Sequence, residues 1–305
     1  MALLVLLAVV GLAVIVVRSA LGDGEATRAE LSEGRPAAAP APPPPELPRG
    51  GRRLFPDFRV VAFYGAPQAE ELGALGIGTP RSAGAKLVRQ ARAYAKKTRP
   101  ALPAFELIST IVTAAPGADG KYRSRQEARV IRRYLRAARR IKALLILDLQ
   151  PGRATFPEEF ERVRRWMREP DVGLALDPEW RMEAGQVPGQ QIGSVSAAEV
   201  NQVSRSLAAV VRKYRLPEKL LLIHQFTDDM IRDKGSLQRR PGLAITINVD
   251  GFGDRANKLS KWRSFTSEAV RFHDGYKLFY KEDTDLMQPR DVLRMQPRPD
   301  LVVYE

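Results

Sequence analysis

ALLILDLQPG (143–152), VGLALDPEWR (172–181) and LAITINVDGFG (243–253) are three of eight short apolar runs that end in polar or charged residues. The other five are VVAFYGAP (60–67), AFELISTIV (104–112), LLLIHQF (220–226), GYKLFYK (275–281) and DLVVYE (300–305). Stretches with helical periodicity separate most of these runs, which is typical of buried parallel strands alternating with helices. We therefore expect an α/β fold, a (β/α)₈ TIM barrel, whose carboxyl strand ends carry the chemistry.

The intervening stretches predict helices near 82–97, 124–142, 156–168, 196–214, 255–272 and 289–295. Ser124 with Glu127 and Ser196 with Glu199 have the spacing of a capping box at a helix start. Glu305 falls at the end of the eighth run, so the last helix of the barrel is expected to be missing, or part of residues 43–58 covers the gap.

The chain divides into three predicted segments. Residues 1–18 form an apolar helix that is either a signal peptide or a membrane anchor, because residues 2–17 are uniformly apolar. Residues 19–57 form an Ala/Pro-rich disordered linker, and residues 58–305 form the barrel domain. We expect the protein at the cell membrane, with one N-terminal anchor and an extracellular domain, or secreted.

The charge of the chain is strongly positive, and it lies outside the N-terminal segment. Residues 1–50 hold four Arg and five acidic residues and have a net charge of −1. Because the whole chain has a net charge of +14, the remaining residues have a net charge of +15. Such a domain favours a polysaccharide or anionic wall polymer, lipid headgroups or nucleic acid as a partner. Specific nucleic-acid binding is not expected, because carboxylates at the strand ends would repel phosphates. We expect a monomer.

The composition and the motifs exclude several kinds of site. The chain has no cysteine, and its two histidines are too few for a histidine-rich metal site. It also lacks a phosphate-binding P-loop, a dinucleotide-binding glycine motif, H-E-x-x-H and G-x-S-x-G. We therefore predict no metal and no cofactor. Two alternatives stay open: a carboxylate-only cation site at Asp148, Asp177, Glu179 and Asp250, and a Schiff-base role for Lys277.

Strand alternation brings polar side chains together at one end of the predicted barrel. In the fourth run Asp177 and Glu179 would face the axis, as would Asp148 in the third run. Burying several carboxylates together shifts their pKa values apart, so one can hold a proton while another stays ionised. We predict Glu179, Asp177 and Asp148 as catalytic residues. Predicted substrate-binding residues are Tyr64, Glu106, Gln150, Trp180, His224, Asp250 and Lys277.

Two segments carry a resemblance to a known family. LALDPEW (174–180) resembles the end of the strand-four signature of chitinase-like (family 18) glycoside hydrolases, and TINVDGFG (246–253) is similar to their strand-six segment. The resemblance implies that Glu179 is the proton donor, that Asp177 positions an acetamido group and that Asp250 holds the sugar. Ala175 stands where that family usually has a further Asp. The chain as a whole resembles exported barrel proteins of actinobacteria.

Together these features predict a glycoside hydrolase that acts on a cell-envelope polysaccharide by carboxylate acid/base chemistry. The alternative is a catalytically silent glycan-binding or scaffold barrel at the cell surface. A third hypothesis, non-specific nucleic-acid binding, predicts an affinity that falls steeply with salt.

Overall fold

The computed structural model describes residues 43–266 and 272–305, in which eight parallel strands form a closed barrel. The strands are β1 Arg59–Gly65, β2 Ala101–Val112, β3 Leu144–Leu149, β4 Val172–Leu176, β5 Lys219–Gln225, β6 Leu243–Val249, β7 His273–Leu278 and β8 Leu301–Tyr304. Each strand pairs with the next along the chain, and β1 pairs with both β2 and β8, which closes the barrel. All eight predicted strands are confirmed, and the fold is a TIM barrel.

Helices cover the outside of the barrel. They are α1 Pro80–Arg92, α2 Ala128–Arg140, α3 Phe156–Val163, α4 Ala197–Lys213, α5 Arg255–Thr266 and α6 Pro289–Val292. The Ser196 side chain accepts a hydrogen bond from the Glu199 amide and caps α4, as expected. Ser124 lies instead in a short strand that pairs antiparallel with β2, so α2 begins without the predicted cap. The connection between β5 and β6 contains two short 3₁₀ turns and no α-helix.

Alternation along the strands separates two apolar layers. Leu145, Leu147 and Leu174 belong to the larger cluster, which also contains the buried helix residues, while Ile146 and Ala175 belong to the inner cluster. Side chains on one strand therefore alternate between the helices and the barrel axis, as the sequence predicts. The inner apolar cluster leaves the carboxyl strand ends to polar side chains.

Residues 43–58 contribute to the amino-terminal end of the barrel. Leu54 and Phe55 are buried in the inner cluster with residues from the strand starts, such as Leu220 and Leu301. The Glu218 carboxylate accepts a hydrogen bond from the Leu54 amide at 2.7 Å. The compact unit therefore begins at Pro43, earlier than the predicted linker boundary at residue 57. The apolar residues of this segment are few but deeply buried, and its Pro-rich composition does not indicate their burial.

The predicted N-terminal segment lies mostly beyond this unit. The signal peptide or anchor at residues 1–18 and the first part of the linker lie outside the described residues. Among the described residues, no helix combines the length and the apolar character needed to cross a membrane.

Candidate active site

An open cavity of about 520 Å³ lies at the carboxyl end of the strands. Its walls combine carboxylates, two lysines and aromatic rings. The residues that line it include Tyr64, Gln150, Asp177, Glu179, Trp180, Phe226, Asp250, Phe252, Lys261, Lys277, Phe279 and Glu305. This position is where TIM-barrel enzymes hold their substrates.

Asp177 and Glu179 reach the cavity from a turn after β4. The strand ends at Leu176, and Pro178–Trp180 forms a single 3₁₀ turn. The prediction that Asp177 and Glu179 are alternate residues of one strand is therefore wrong, because Glu179 lies on the turn. Both residues still line the same cavity.

Gly193 fixes this turn from behind. Its amide donates a hydrogen bond to the Glu179 carbonyl oxygen at 2.7 Å. A Cβ atom at Gly193 would lie 2.6 Å from the carbonyl oxygens of Pro178, Glu179 and Arg181. Only glycine allows the backbone to approach this closely, so the loop before α4 holds the Glu179 backbone in place.

The carboxyl groups of Asp177 and Glu179 make no hydrogen bond or ion pair with any other residue that the structure describes. Burial raises the pKa of Asp177 well above its usual value, although the charge on His224 opposes the shift. Burial, together with the negative charge of Asp250, raises the pKa of Glu179 to about 7. The nearby Arg181 pairs with Glu199, at 3.1 Å, and leaves both carboxyls free to meet a ligand.

His224 lies deeper than the cavity wall, between two carboxylates. Its Nδ1 is 2.8 Å from Asp250 Oδ2, and its Nε2 is 3.0 Å from Glu106 Oε1. Burial disfavours the charged imidazole, but the hydrogen bonds to Asp250 and Glu106 outweigh it and raise the pKa of His224 well above its usual value. The His224 ring therefore joins Glu106 on β2 to Asp250 at the end of β6.

Lys277 neutralises two acidic groups on the wall. Its Nζ lies 3.2 Å from Asp250 Oδ2 and 2.7 Å from Glu305 Oε2. Burial opposes its charge, but the carboxylates of Asp250 and Glu305 hold the pKa of Lys277 well above its usual value. Imine formation needs a neutral amine, so this environment argues against a Schiff-base role for Lys277.

A second chain of hydrogen bonds leads to Asp148. Gln150 Nε2 donates to the Tyr64 hydroxyl at 3.0 Å, and that hydroxyl donates to Asp148 Oδ2 at 3.3 Å. Burial raises the pKa of Asp148 to about 7, although the charge on His224 counteracts it. The lower part of the site therefore contains a group that can exchange a proton near neutral pH.

The structure brings nearly all of the predicted site residues together. Tyr64, Gln150, Asp177, Glu179, Trp180, Asp250 and Lys277 line the cavity, whereas Glu106, Asp148 and His224 are fully buried and joined to it by hydrogen bonds. The sequence reasoning missed Glu305, which shares Lys277 with Asp250. It is the last residue of the eighth apolar run, and the rule that singled out the other strand-end residues could have found it.

Acidic groups, lysines and aromatic rings share the wall of the cavity. Asp177, Glu179 and the paired acids outnumber Lys277 and Lys261, the lysines on the wall. The aromatic rings offer flat apolar faces beside these polar groups. Of the aromatic residues near the strand ends, Tyr280 lies away from this cavity and stacks on Tyr304 with ring centroids 5.2 Å apart.

Comparisons with known proteins identify few relatives. No protein-family profile and no curated protein matches the chain. Solved structures that match include an oxaloacetate acetylhydrolase in complex with the inhibitor 3,3-difluorooxalacetate, at 10% identity and a TM-score of 0.35. The match covers 82% of this chain and 69% of that one. The fold and site therefore define a TIM-barrel protein with a carboxylate-rich cavity.

These comparisons correct the function predicted from the sequence. The solved structure named above is described as an acetylhydrolase and not as a glycosidase. On this finding the prediction of a glycoside hydrolase for an envelope polysaccharide is wrong, and its alternative, a silent glycan-binding barrel, stays a prediction. The resemblance on which it rested spans two short segments, and the strand-four segment continues into a turn after Leu176.

Proposed function

We propose that this protein is an enzyme that transfers a proton to or from a small substrate bound in the cavity, with Glu179 as the general acid and base. The observation that carries the proposal is the Glu179 carboxyl, which faces the cavity without a hydrogen-bond partner among the described residues and has a pKa of about 7. A general acid works best when its pKa lies near the working pH, because both protonation states are then accessible.

Other residues on the cavity wall would contact the substrate. Asp177 lies beside Glu179 on the cavity wall and would contact the substrate, and burial raises the pKa of its carboxyl well above the usual value. Trp180 and Phe226 provide apolar surfaces for the substrate.

This proposal is tested by substrate profiling with the full chain. The purified protein is incubated with a panel of neutral, cationic and anionic small molecules, and their consumption is followed by mass spectrometry. The native protein should consume at least one compound of the panel, and Glu179→Gln should slow that reaction about 10² to 10⁴-fold. Glu127→Gln, the same substitution in an exposed ion pair with Arg129, should react at the native rate. Equal rates for the native protein and Glu179→Gln would contradict the proposal.

The location of the protein is a separate proposal that rests on the sequence. The uniformly apolar residues 2–17 support export or anchoring in a membrane. Fractionation of cells that express the full chain, beside cells that express residues 19–305, tests it. We expect the full chain in the membrane or outside the cell and the shortened chain inside. The same location for both chains would contradict this proposal.

A further inference from the structure

Below the cavity, the polar ends of three strands converge. Glu106 on β2, Asp148 on β3 and His224 on β5 are fully buried. One ligand atom from each residue lies within 4.8 Å of the others. Glu179, the proposed general acid and base, and Asp177 are not part of this group, so the proposed function does not account for it.

Two oxygens in this group lack a partner. Glu106 Oε2 and Asp148 Oδ1 are buried and make no hydrogen bond with any residue that the structure describes. Leaving buried carboxylate oxygens unsatisfied is costly, and natural sites rarely keep them without a compensating ion or proton. Both oxygens belong to residues that offer a ligand atom within 4.8 Å of each other and of His224, so a cation bound here would supply a partner for this group.

The spacing of the ligand atoms suits a single ion. His224 Nε2 lies 3.0 Å from Glu106 Oε1 and 4.0 Å from Asp148 Oδ1. Two atoms bound to one divalent ion at about 2.0 to 2.3 Å lie about 3 to 4.5 Å apart. The site therefore needs no large rearrangement to receive an ion, only loss of any proton on His224 Nε2.

The surrounding residues orient the ligands as they do in metal sites. The hydrogen bond between His224 Nδ1 and Asp250 fixes the ring so that Nε2 is turned toward Glu106 and Asp148. A carboxylate behind a histidine ligand is the usual arrangement that fixes its tautomer and raises its basicity. The Tyr64 hydroxyl holds the other oxygen of Asp148, at 3.3 Å.

We propose that Glu106, Asp148 and His224 bind one divalent first-row cation, with Asp250 as the positioning residue. Two carboxylates and one imidazole suit ions such as Mn²⁺ and Zn²⁺, since imidazole favours transition metals and carboxylates accept hard ions. The ion would lie at the base of the cavity, below the proposed substrate. The proposal is independent of the role of Glu179.

The test uses the full chain, stripped with a chelator and titrated with MnCl₂ while free Mn²⁺ is measured by electron paramagnetic resonance. We expect one bound ion per chain, displaced by ZnCl₂. Glu106→Gln should weaken the binding at least tenfold, whereas the matched exposed variant Glu127→Gln should bind as the native protein does. Asp250→Asn should weaken the affinity about 10- to 100-fold through the histidine.

Crystals of the native protein soaked in MnCl₂ keep the proposal testable if the variants do not fold. An anomalous peak between the Glu106, Asp148 and His224 side chains supports it. No bound Mn²⁺ in the native protein, a peak elsewhere, or equal affinity in a folded Glu106→Gln variant would overturn it. Glu179→Gln should retain the ion, so loss of catalysis with retained binding separates the two proposals.

Discussion

His224 Nδ1 lies 2.8 Å from Asp250 Oδ2, and this contact joins two adjacent strand ends at the base of the cavity. The same Asp250 oxygen is 3.2 Å from Lys277 Nζ, so one carboxylate balances two cationic groups. Asp250 is almost fully buried, and its own pKa is depressed, since the positive charges of Lys277 and His224 outweigh burial. The arrangement makes Asp250 the residue on which the charge balance of the site depends.

The first prediction concerns Asp250→Asn. The substitution keeps the shape of the side chain but leaves two buried cations without their shared counter-charge. Removing one partner of a buried ion pair costs about 3 to 5 kcal/mol of stability. Urea unfolding should show a loss of that size, whereas Glu127→Gln should show no measurable change. A folded Asp250→Asn variant with native stability would contradict the assigned charge balance.

The second prediction concerns Gly193→Ala. The added Cβ would meet three carbonyl oxygens at 2.6 Å, so the turn that carries Glu179 must shift. Overpacking of this kind costs about 1 to 3 kcal/mol. Gly235→Ala is the matched control, because a Cβ there meets nothing within 4 Å. Thermal unfolding should separate the two variants, and equal melting temperatures would show that the loop does not hold the turn.

The third prediction concerns the residues before β1. A chain that begins at Pro43 should unfold at the same temperature as the full chain, because the compact unit begins there. A chain that begins at residue 58 loses the buried Leu47, Leu54 and Phe55, and each such side chain contributes about 1.5 to 3 kcal/mol. Calorimetry of the two truncated proteins measures the difference. Identical melting temperatures would mean that residues 43–57 do not stabilise the barrel.

The fourth prediction concerns the pH dependence of stability. The pKa of Glu179 is about 7 in the folded protein and 4.5 as its ordinary value, so the folded state binds its proton more tightly. Below pH 4.5 both states are protonated, and the stabilisation is fully present. As the pH rises from 4.5 to about 7 the unfolded state loses its proton first, so the free energy of unfolding falls.

Glu179→Gln lacks this titration and provides the comparison. The free energy of unfolding of the native protein should fall relative to that of the variant as the pH rises from 4.5 to about 7. Above that window the difference between the two proteins should stay constant. Urea unfolding at several pH values checks the sign. A difference that is independent of pH from 4.5 to 7 would contradict the raised pKa of Glu179.

The strands, and the face of the strand on which each side chain lies, could be predicted from local pattern, but the contacts of the site could not. Leu145 and Leu147 lie on one face of β3 and Asp148 lies on the other, because side chains on a strand alternate with a period of two. The contact between Glu106 and His224 joins residues 118 positions apart and depends on the stagger of the closed barrel, which no local pattern contains.

Two local features also escaped the sequence reasoning. Asp177 and Glu179 look like alternate residues of one strand, but the strand ends before Asp177 and the backbone turns at Pro178. Residues 43–57 look like a spacer by composition, and their buried Leu54 and Phe55 are only recognised once the end of the barrel is present to receive them. Composition averages over a segment, whereas packing depends on a few side chains.

The central claim is that Glu179 carries an exchangeable proton at neutral pH, and infrared difference spectroscopy tests it most directly. Spectra of the native protein and of Glu179→Gln are recorded from pH 4 to pH 9, with Glu127→Gln as the control. Asp148 and Glu179 both have a pKa of about 7, so we predict that the protonated carboxyl band lost around pH 7 is smaller in Glu179→Gln by the contribution of one carboxyl group. Loss of the Glu179 band near pH 4.5, its ordinary value, would contradict the account.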